Sequence, residues 1–306
     1  MALKLQISSS PHILTKRTTR NIMLDVVIAL LPATAAGIVW FGWPALFVIL
    51  ACVGTSFLSE YCFNRIVHKK QSIDDCSAIV TGLLLALNLP ANVPIWQAMI
   101  GSIFAIIVVK CLFGGLGRNI VNPAITARVF MLIAFGSMAK AAFPVDSTAG
   151  ATPLVELAGG KTPDLMELFI GNHGGTIGET CALALLVGGV YLLARQIISW
   201  HIPVAFIGTT FLFTWAVVGD ITLALAWCLS GGLFLGAIYM ATDYVTAPET
   251  GWGKLIFGVG AGLITVLIRF WGNYPEGVSF AILLMNILNP FILSWTIRKP
   301  FGGGKA

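Results

Sequence analysis

Charge is scarce in this chain: lysine, arginine, aspartate and glutamate make up 10% of its 306 residues. Soluble globular proteins carry about a quarter, so an ordinary water-facing surface is excluded. The six cysteines, Cys52, Cys62, Cys76, Cys111, Cys181 and Cys228, form no C-x-x-C pair. They read as small buried residues, and a metal or iron-sulfur site built by this chain alone is not expected. His12, His68, His173 and His201 lack paired ligand spacing and read as surface residues in loops. There is no strand-linked G-x-G-x-x-G, no Ser/His/Asp or paired-carboxylate arrangement, and no basic stripe with interleaved aromatics. Those absences exclude nicotinamide binding, hydrolysis and nucleic-acid binding by this chain. Alternating ten-residue strands are also missing, which removes a β-barrel.

What the chain has is apolar length. Hydrophobic runs lie near residues 22–41, 44–63, 77–89, 94–113, 122–136, 177–198, 202–219, 221–241, 253–271 and 277–297. A helix needs about 20 such residues to cross a core of ~30 Å. Backbone groups cannot face lipid unpaired. The expected fold is therefore an all-α polytopic membrane protein with about ten transmembrane helices in two inverted repeats of five, some of them short or broken. The runs at 77–89 and 122–136 are short and are punctuated by Leu89-Pro90 and Asn122-Pro123, as half-helices lining a site within the protein would be. The first run is long enough to span, so no cleavable signal is expected.

Of the 18 lysines and arginines, only Lys140, Lys161 and Arg269 fall on one side of the alternating loops. The rich side is expected to be cytoplasmic, with both termini. The organisation that follows is a cytoplasmic segment 1–21, a first membrane repeat 22–136, an extracytoplasmic loop 137–176, a second repeat 177–297 and a cytoplasmic tail 298–306. Trp40, Trp43, Trp96, Trp200, Trp252 and Trp271 cluster near expected helix ends as an interfacial belt.

The halves carry an echo. Asn119-Ile120-Val121-Asn122-Pro123 recurs as Asn286-Ile287-Leu288-Asn289-Pro290, each after an apolar span that ends in a cation and glycine, Lys110 to Gly114 and Arg269 to Gly272. An odd number of spans inverts the second copy, and a pocket near the midplane is the usual result. Asn-Pro is also an ordinary helix breaker. Lys110, Arg128 and Asp243 lie near expected cytoplasmic ends and read as snorkelling side chains, or else as members of a buried polar site. Asp25 and Glu60 lie near span ends too.

One polar stretch suggests chemistry: Asp146-Ser147-Thr148-Ala149-Gly150-Ala151-Thr152-Pro153-Leu154. It presents a hydroxyl beside two small residues, with a stiff exit at Pro153. The same residues also read as a helix start, with Thr152 as N-cap and Glu156 completing a box-like pattern. Gly114-Gly115-Leu116-Gly117 lacks phosphate-loop spacing and reads as a tight turn. The functional alternative has its amides and Arg118 hold a polar or anionic ligand at a half-helix start.

Ile7-Ser8-Ser9-Ser10-Pro11-His12, the run Phe113 to Ala124, Gly150-Ala151-Thr152-Pro153-Leu154 and Ala241-Thr242-Asp243-Tyr244-Val245-Thr246-Ala247-Pro248 together resemble the D subunits of Rnf-type ion-translocating ferredoxin:NAD oxidoreductase complexes. The resemblance covers essentially the whole chain, and the B subunit of the sodium-pumping NADH:quinone oxidoreductase is a near relative. It implies FMN joined to Thr152 by a phosphoester, with Asp146, Gly150 and Ala151 as the acceptor motif. Ala149 stands where the family usually has Ser or Thr; Ser147 and Thr148 are fallback acceptors. It also leaves room for riboflavin or another polar ligand near Arg118, Asn119 and Asp243. Further implications are Na⁺ or H⁺ translocation, other membrane and peripheral subunits as partners, maturation by a flavin transferase, lipid contact, and residence in a bacterial or archaeal cytoplasmic membrane. Repeats and broken helices alone would equally suit a channel or transporter for a small polar solute, or an anchor for redox subunits. A Ser147→Cys chain is expected to react with an impermeant thiol reagent from the extracytoplasmic face; labelling only from the cytoplasmic face would invert the topology.

Overall fold

The computed structural model describes residues 17–136, 142–144, 152–160, 162–272 and 276–297. Among these, α1 (Thr19–Phe41), α2 (Trp43–Ile66), α3 (Ser77–Leu87), α4 (Ile95–Ile103) and α5 (Pro123–Ala134) form the first half. Two short helices, α6 (Pro153–Ala158) and α7 (Leu165–Ile170), follow. The second half holds α8 (Ala182–Ala194), α9 (His201–Val218), α10 (Ile221–Leu229), α11 (Leu233–Leu235), α12 (Gly251–Trp271) and α13 (Val278–Thr296). α4 continues as a π-helix over Phe104–Cys111, and α11 does so over Gly236–Met240.

Every expected run holds a helix, but not all are full spans. Five helices, α1, α2, α9, α12 and α13, are long and apolar enough to cross a bilayer unaided. These long helices present Leu31, Val39, Phe47, Leu212 and Phe291 outward, as a lipid-facing surface requires. Trp43, Trp96, Trp200, Trp252 and Trp271 are exposed near helix ends, in keeping with an interfacial belt.

Packing repeats between the halves. α2 lies on α3 and α4 as α9 lies on α10 and α12, while α1 pairs with α8 and α5 with α13 across the two sets. The sequence echo does not carry this symmetry. Asn122 caps α5, accepting from the Ala124 and Ile125 amides at 3.0 and 3.4 Å, whereas Asn286 and Asn289-Pro290 lie inside α13.

The short helices are enclosed by protein. α3 rises only about 16 Å, and ten of its 11 residues are buried. Its last carbonyls are met from a distant segment: the amides of Gly178 and Ile177 donate to Leu87 and Leu89 at 2.8 and 3.0 Å. A methyl group at Gly178 would stand 2.5 Å from Leu87 Cβ, so only glycine allows this approach. The expected span 177–198 is thus helical only over 182–194; residues 177–181 form a turn whose first two amides cap α3. The span 221–241 is not one helix either. α10 and α11 meet at 66°, broken at Ser230-Gly231-Gly232, where Gly231 and Gly232 have φ of 71° and 63°.

Two cations expected to snorkel are inside the protein. Lys110 is 2% exposed and donates to Glu60 at 2.7 Å and Ser77 at 2.6 Å. Arg128, also 2% exposed, pairs with Glu276 at 2.8 Å. Ser72 donates to Glu60 at 2.5 Å, and Asn64 donates to Ser72 at 3.0 Å. Burying either charge alone would cost more than the short side chains around it return, so both lie inside as pairs. Lys110→Met, which strands Glu60, is expected to lower stability by about 3–5 kcal/mol. Lys110→Met with Glu60→Gln should recover most of it, read as thermal unfolding in detergent.

Candidate functional site

Thr152 caps α6. Its Oγ1 accepts from the Val155 amide at 3.4 Å, Pro153 occupies the first helical position, and Thr152 is half-buried. The hydroxyl donates to no described residue. Glu156 falls one residue beyond the box position, which Val155 takes, so the box-like pattern reduces to a single cap. Asp146, Gly150 and Ala151, with Ser147 and Thr148, lie outside the described residues.

Beyond Thr152, α6 and α7 are anchored by apolar contacts. Leu154 and Leu157 of α6 and Leu168 of α7 form a buried cluster with Ala226 and Trp227 of α10. Leu154 also reaches the helix break, where a methyl group on Gly231 would stand 2.3 Å from its Cδ1. Arg269 of α12 holds that break: Nη1 donates to the Trp227 carbonyl at 2.7 Å, and Nη2 to those of Ser230 and Gly231 at 2.9 Å each. The guanidinium thereby satisfies carbonyls that the bend leaves without helical partners. Glu179, in the turn before α8, places Oε2 3.3 Å from where a Gly232 methyl would stand. Glu179 is half-buried there. His173 is half-buried, with Nδ1 3.1 Å from the Gly174 carbonyl, and burial lowers its pKa. His201 is also half-buried, stacked on Trp200. Neither is the surface residue expected.

The opposite side, where the chain's described ends lie, has a polar cleft of about 70 Å³ lined by Lys110, Asn119, Asn122, Tyr239, Thr242 and Asp243, among others. A pocket of about 210 Å³ adjoins it and shares Thr242, Asp243 and Tyr244. Asn122 Nδ2 donates to the Met240 carbonyl at 3.2 Å, tying the first half to the second. Asp243 accepts from Thr246 Oγ1 at 3.0 Å, and burial pushes its carboxyl above the usual range. Asp243 is therefore a wall of the cleft and no snorkelling group. Asn119 is buried, with Oδ1 unpartnered among the described residues. Arg118 is exposed outside the cleft, its Cδ 2.7 Å from where a methyl on Gly114 would stand. Gly114, Gly115 and Gly117 all have positive φ, so the glycine run is a turn and α5 begins later, at Pro123.

Two of the three residues expected at a second ligand site, Asn119 and Asp243, therefore meet, and Arg118 does not. Sequence reading passed over Glu179, Glu276 and the arginine-held break. Ser230-Gly231-Gly232 inside an apolar run was the available signal for the last; nothing local marks the carboxylates. Cys52, Cys111 and Cys228 are buried, Cys76 and Cys181 partly so, and Cys62 is exposed. No group of three His, Cys, Asp or Glu among the described residues is arranged to hold a metal.

Comparison with known proteins places this architecture. The chain matches the NQR2, RnfD, RnfE family over residues 6–302. It is 46% identical over 308 residues to the D subunit of the Na(+)-translocating ferredoxin:NAD(+) oxidoreductase complex of Acetobacterium woodii, covering 98% of this chain and 96% of the relative. The D subunit of the proton-translocating ferredoxin:NAD(+) oxidoreductase complex of Clostridium ljungdahlii is 40% identical over 316 residues, covering 97% and 96%. The D subunit of the ion-translocating oxidoreductase complex of Stutzerimonas stutzeri is 39% identical over 315 residues, covering 89% of each chain. With a family match that runs nearly end to end, the chain belongs to the NQR2, RnfD, RnfE family.

Proposed function

We propose that the chain is the membrane electron-transfer D subunit of an ion-translocating ferredoxin:NAD oxidoreductase complex and carries FMN as a phosphoester on Thr152. The observation that carries the first part is 46% identity across 98% of the chain to a subunit of that name. NADH and ferredoxin handling then belong to the other membrane and peripheral subunits.

The hydroxyl of Thr152 suits esterification. As helix cap its oxygen only accepts, and an ester oxygen keeps that capacity while losing the proton that donates to no described residue. The β-branched side chain restricts χ1 and so the direction of the tether, and Leu154 and Leu157 hold the helix beneath it. Bound there, the flavin would supply the capacity to accept and release electrons, and the protein supplies position, retention and electrostatics. Attachment calls for a flavin transferase.

The excess of basic residues supports a cytoplasmic location for the side bearing the termini and an extracytoplasmic one for the Thr152 loop. The buried Lys110, Arg128 and Arg269 do not report on topology, but the bias of the remaining cations is unchanged in sign. The coupling ion does not transfer by similarity, since one relative is named for Na⁺ and another for protons. The cleft at Asn119 and Asp243, about 70 Å³ beside a pocket of 210 Å³, falls below the roughly 300–1,000 Å³ of ligand pockets. It suits a small polar ligand or ion better than riboflavin.

Protein from cells containing the transferase is expected to give a fluorescent band under ultraviolet light after denaturing electrophoresis, and a Thr152 peptide heavier by one FMN less water. Thr152→Ala should remain inserted, losing a cap worth about 1 kcal/mol, and give a dark band without electron transfer through this subunit. A dark band from the unaltered chain, with the peptide at unmodified mass, would favour a solute pore.

A further inference from the structure

We infer that the groove between α8 and α9 is a binding site for a phospholipid whose zwitterionic headgroup carries an ammonium. The inference rests on membrane residence alone and is independent of the flavin reading.

The groove encloses about 380 Å³. Leu186, Val190 and Leu193 in the last turns of α8 and Val204 and Ile207 in the first turns of α9 line it, with the buried Ile238 at its base. Two glycines shape it. Gly189 lets α8 close on Ile238, whose Cγ2 would stand 2.9 Å from a methyl there, whereas a methyl on Gly208 would meet nothing within 4 Å. Val190 and Val204 are exposed, so the groove opens on the lipid-facing surface. Gly208 lies about 10 Å along α9 from His201. Trp200 stands exposed just before that helix and Trp252 at the start of α12, as residues at a bilayer interface do. An acyl chain entering beneath the tryptophans is therefore met by apolar wall for about two helical turns.

Apolar contact alone selects no lipid, because bilayer tails are as apolar as the groove. Selection comes from the adjoining pocket of about 210 Å³, which shares Ile198 with the groove. Its charged lining residues are Asp243, Glu249 and Lys254. Asp243 already accepts from Thr246 at 3.0 Å. Glu249 and Lys254 form no ion pair with each other or with any other described residue, so an acid and a cation stand open in one pocket beside an apolar slot. That arrangement complements a headgroup with an ammonium for Glu249 and a phosphate for Lys254, joined to a chain that enters the groove. Arg17 acts on Tyr244, a further lining residue. Acids and cations then balance, and an anionic headgroup gains no net attraction.

The test is photolabelling of the assembled complex in mild detergent with a phosphatidylethanolamine that bears a diazirine on one acyl chain, read by peptide mass spectrometry. Adducts should concentrate on residues 186–193 and 203–208. Unlabelled phosphatidylethanolamine should displace them at a concentration lower by about tenfold than phosphatidylglycerol, the difference one charge-assisted hydrogen bond makes. Gly208→Phe should abolish those adducts, while Gly54→Phe, at an exposed glycine of α2 where a methyl likewise meets nothing within 4 Å, should keep them. Glu249→Gln should erase the preference between the two lipids, and Lys254→Gln should weaken both. Labelling spread evenly over the lipid-facing helices, equal displacement by the two lipids, or unchanged adducts in Gly208→Phe overturns the inference. So does a groove left unlabelled beneath another subunit. Competition in the unaltered complex decides the matter even if the variants fail to assemble.

Discussion

Broken helices inside a membrane depend on finding partners for the groups they expose, and here a buried arginine and the backbone of a distant turn supply them. Unpaired backbone groups in hydrocarbon cost several kcal/mol each. Arg269 meets the carbonyls of Trp227, Ser230 and Gly231 with hydrogen bonds of 2.7 to 2.9 Å. In the other half, Lys110 gathers Glu60 and Ser77 at the start of α3. Both cations sit near the ends of corresponding spans. One neutralises an acid and the other satisfies backbone, so the halves share a plan and differ in its chemistry.

That plan separates two faces. On the side of the described chain ends, Asn122 and Met240 bring the halves together around a small cleft walled by Lys110, Asn119 and Asp243. On the other, the bend at Gly231 and Gly232 creates the seat on which Leu154 rests and beside which Glu179 lies. Helix α6, which Thr152 caps, is therefore seated on the helix break beneath it through Leu154 and Leu157.

Much of this was legible in order along the chain. Ten apolar runs each hold a helix, because hydropathy sums over neighbouring residues and the bilayer sets a length. Leu89-Pro90 and Asn122-Pro123 marked true helix boundaries because proline lacks a donor and restricts the residue before it. Pro290 did not mark one: it lies within α13, where surrounding helices tolerate the lost hydrogen bond. Lys110 and Arg128 looked like snorkelling groups because position near an apolar run's end is all that one dimension offers.

Composition and periodicity by themselves determined a polytopic helical membrane protein and the runs in which its longer helices lie. Tertiary structure alone decided which charges meet. Glu60 finds Lys110 from 50 positions away, Arg269 reaches Gly231 from 38, and Arg128 reaches Glu276 from 148. Hydrophobic burial is additive along a segment and can be read there. A buried charge is settled by whichever opposite charge or open carbonyl the folded chain brings within about 3 Å, and that is a property of three dimensions.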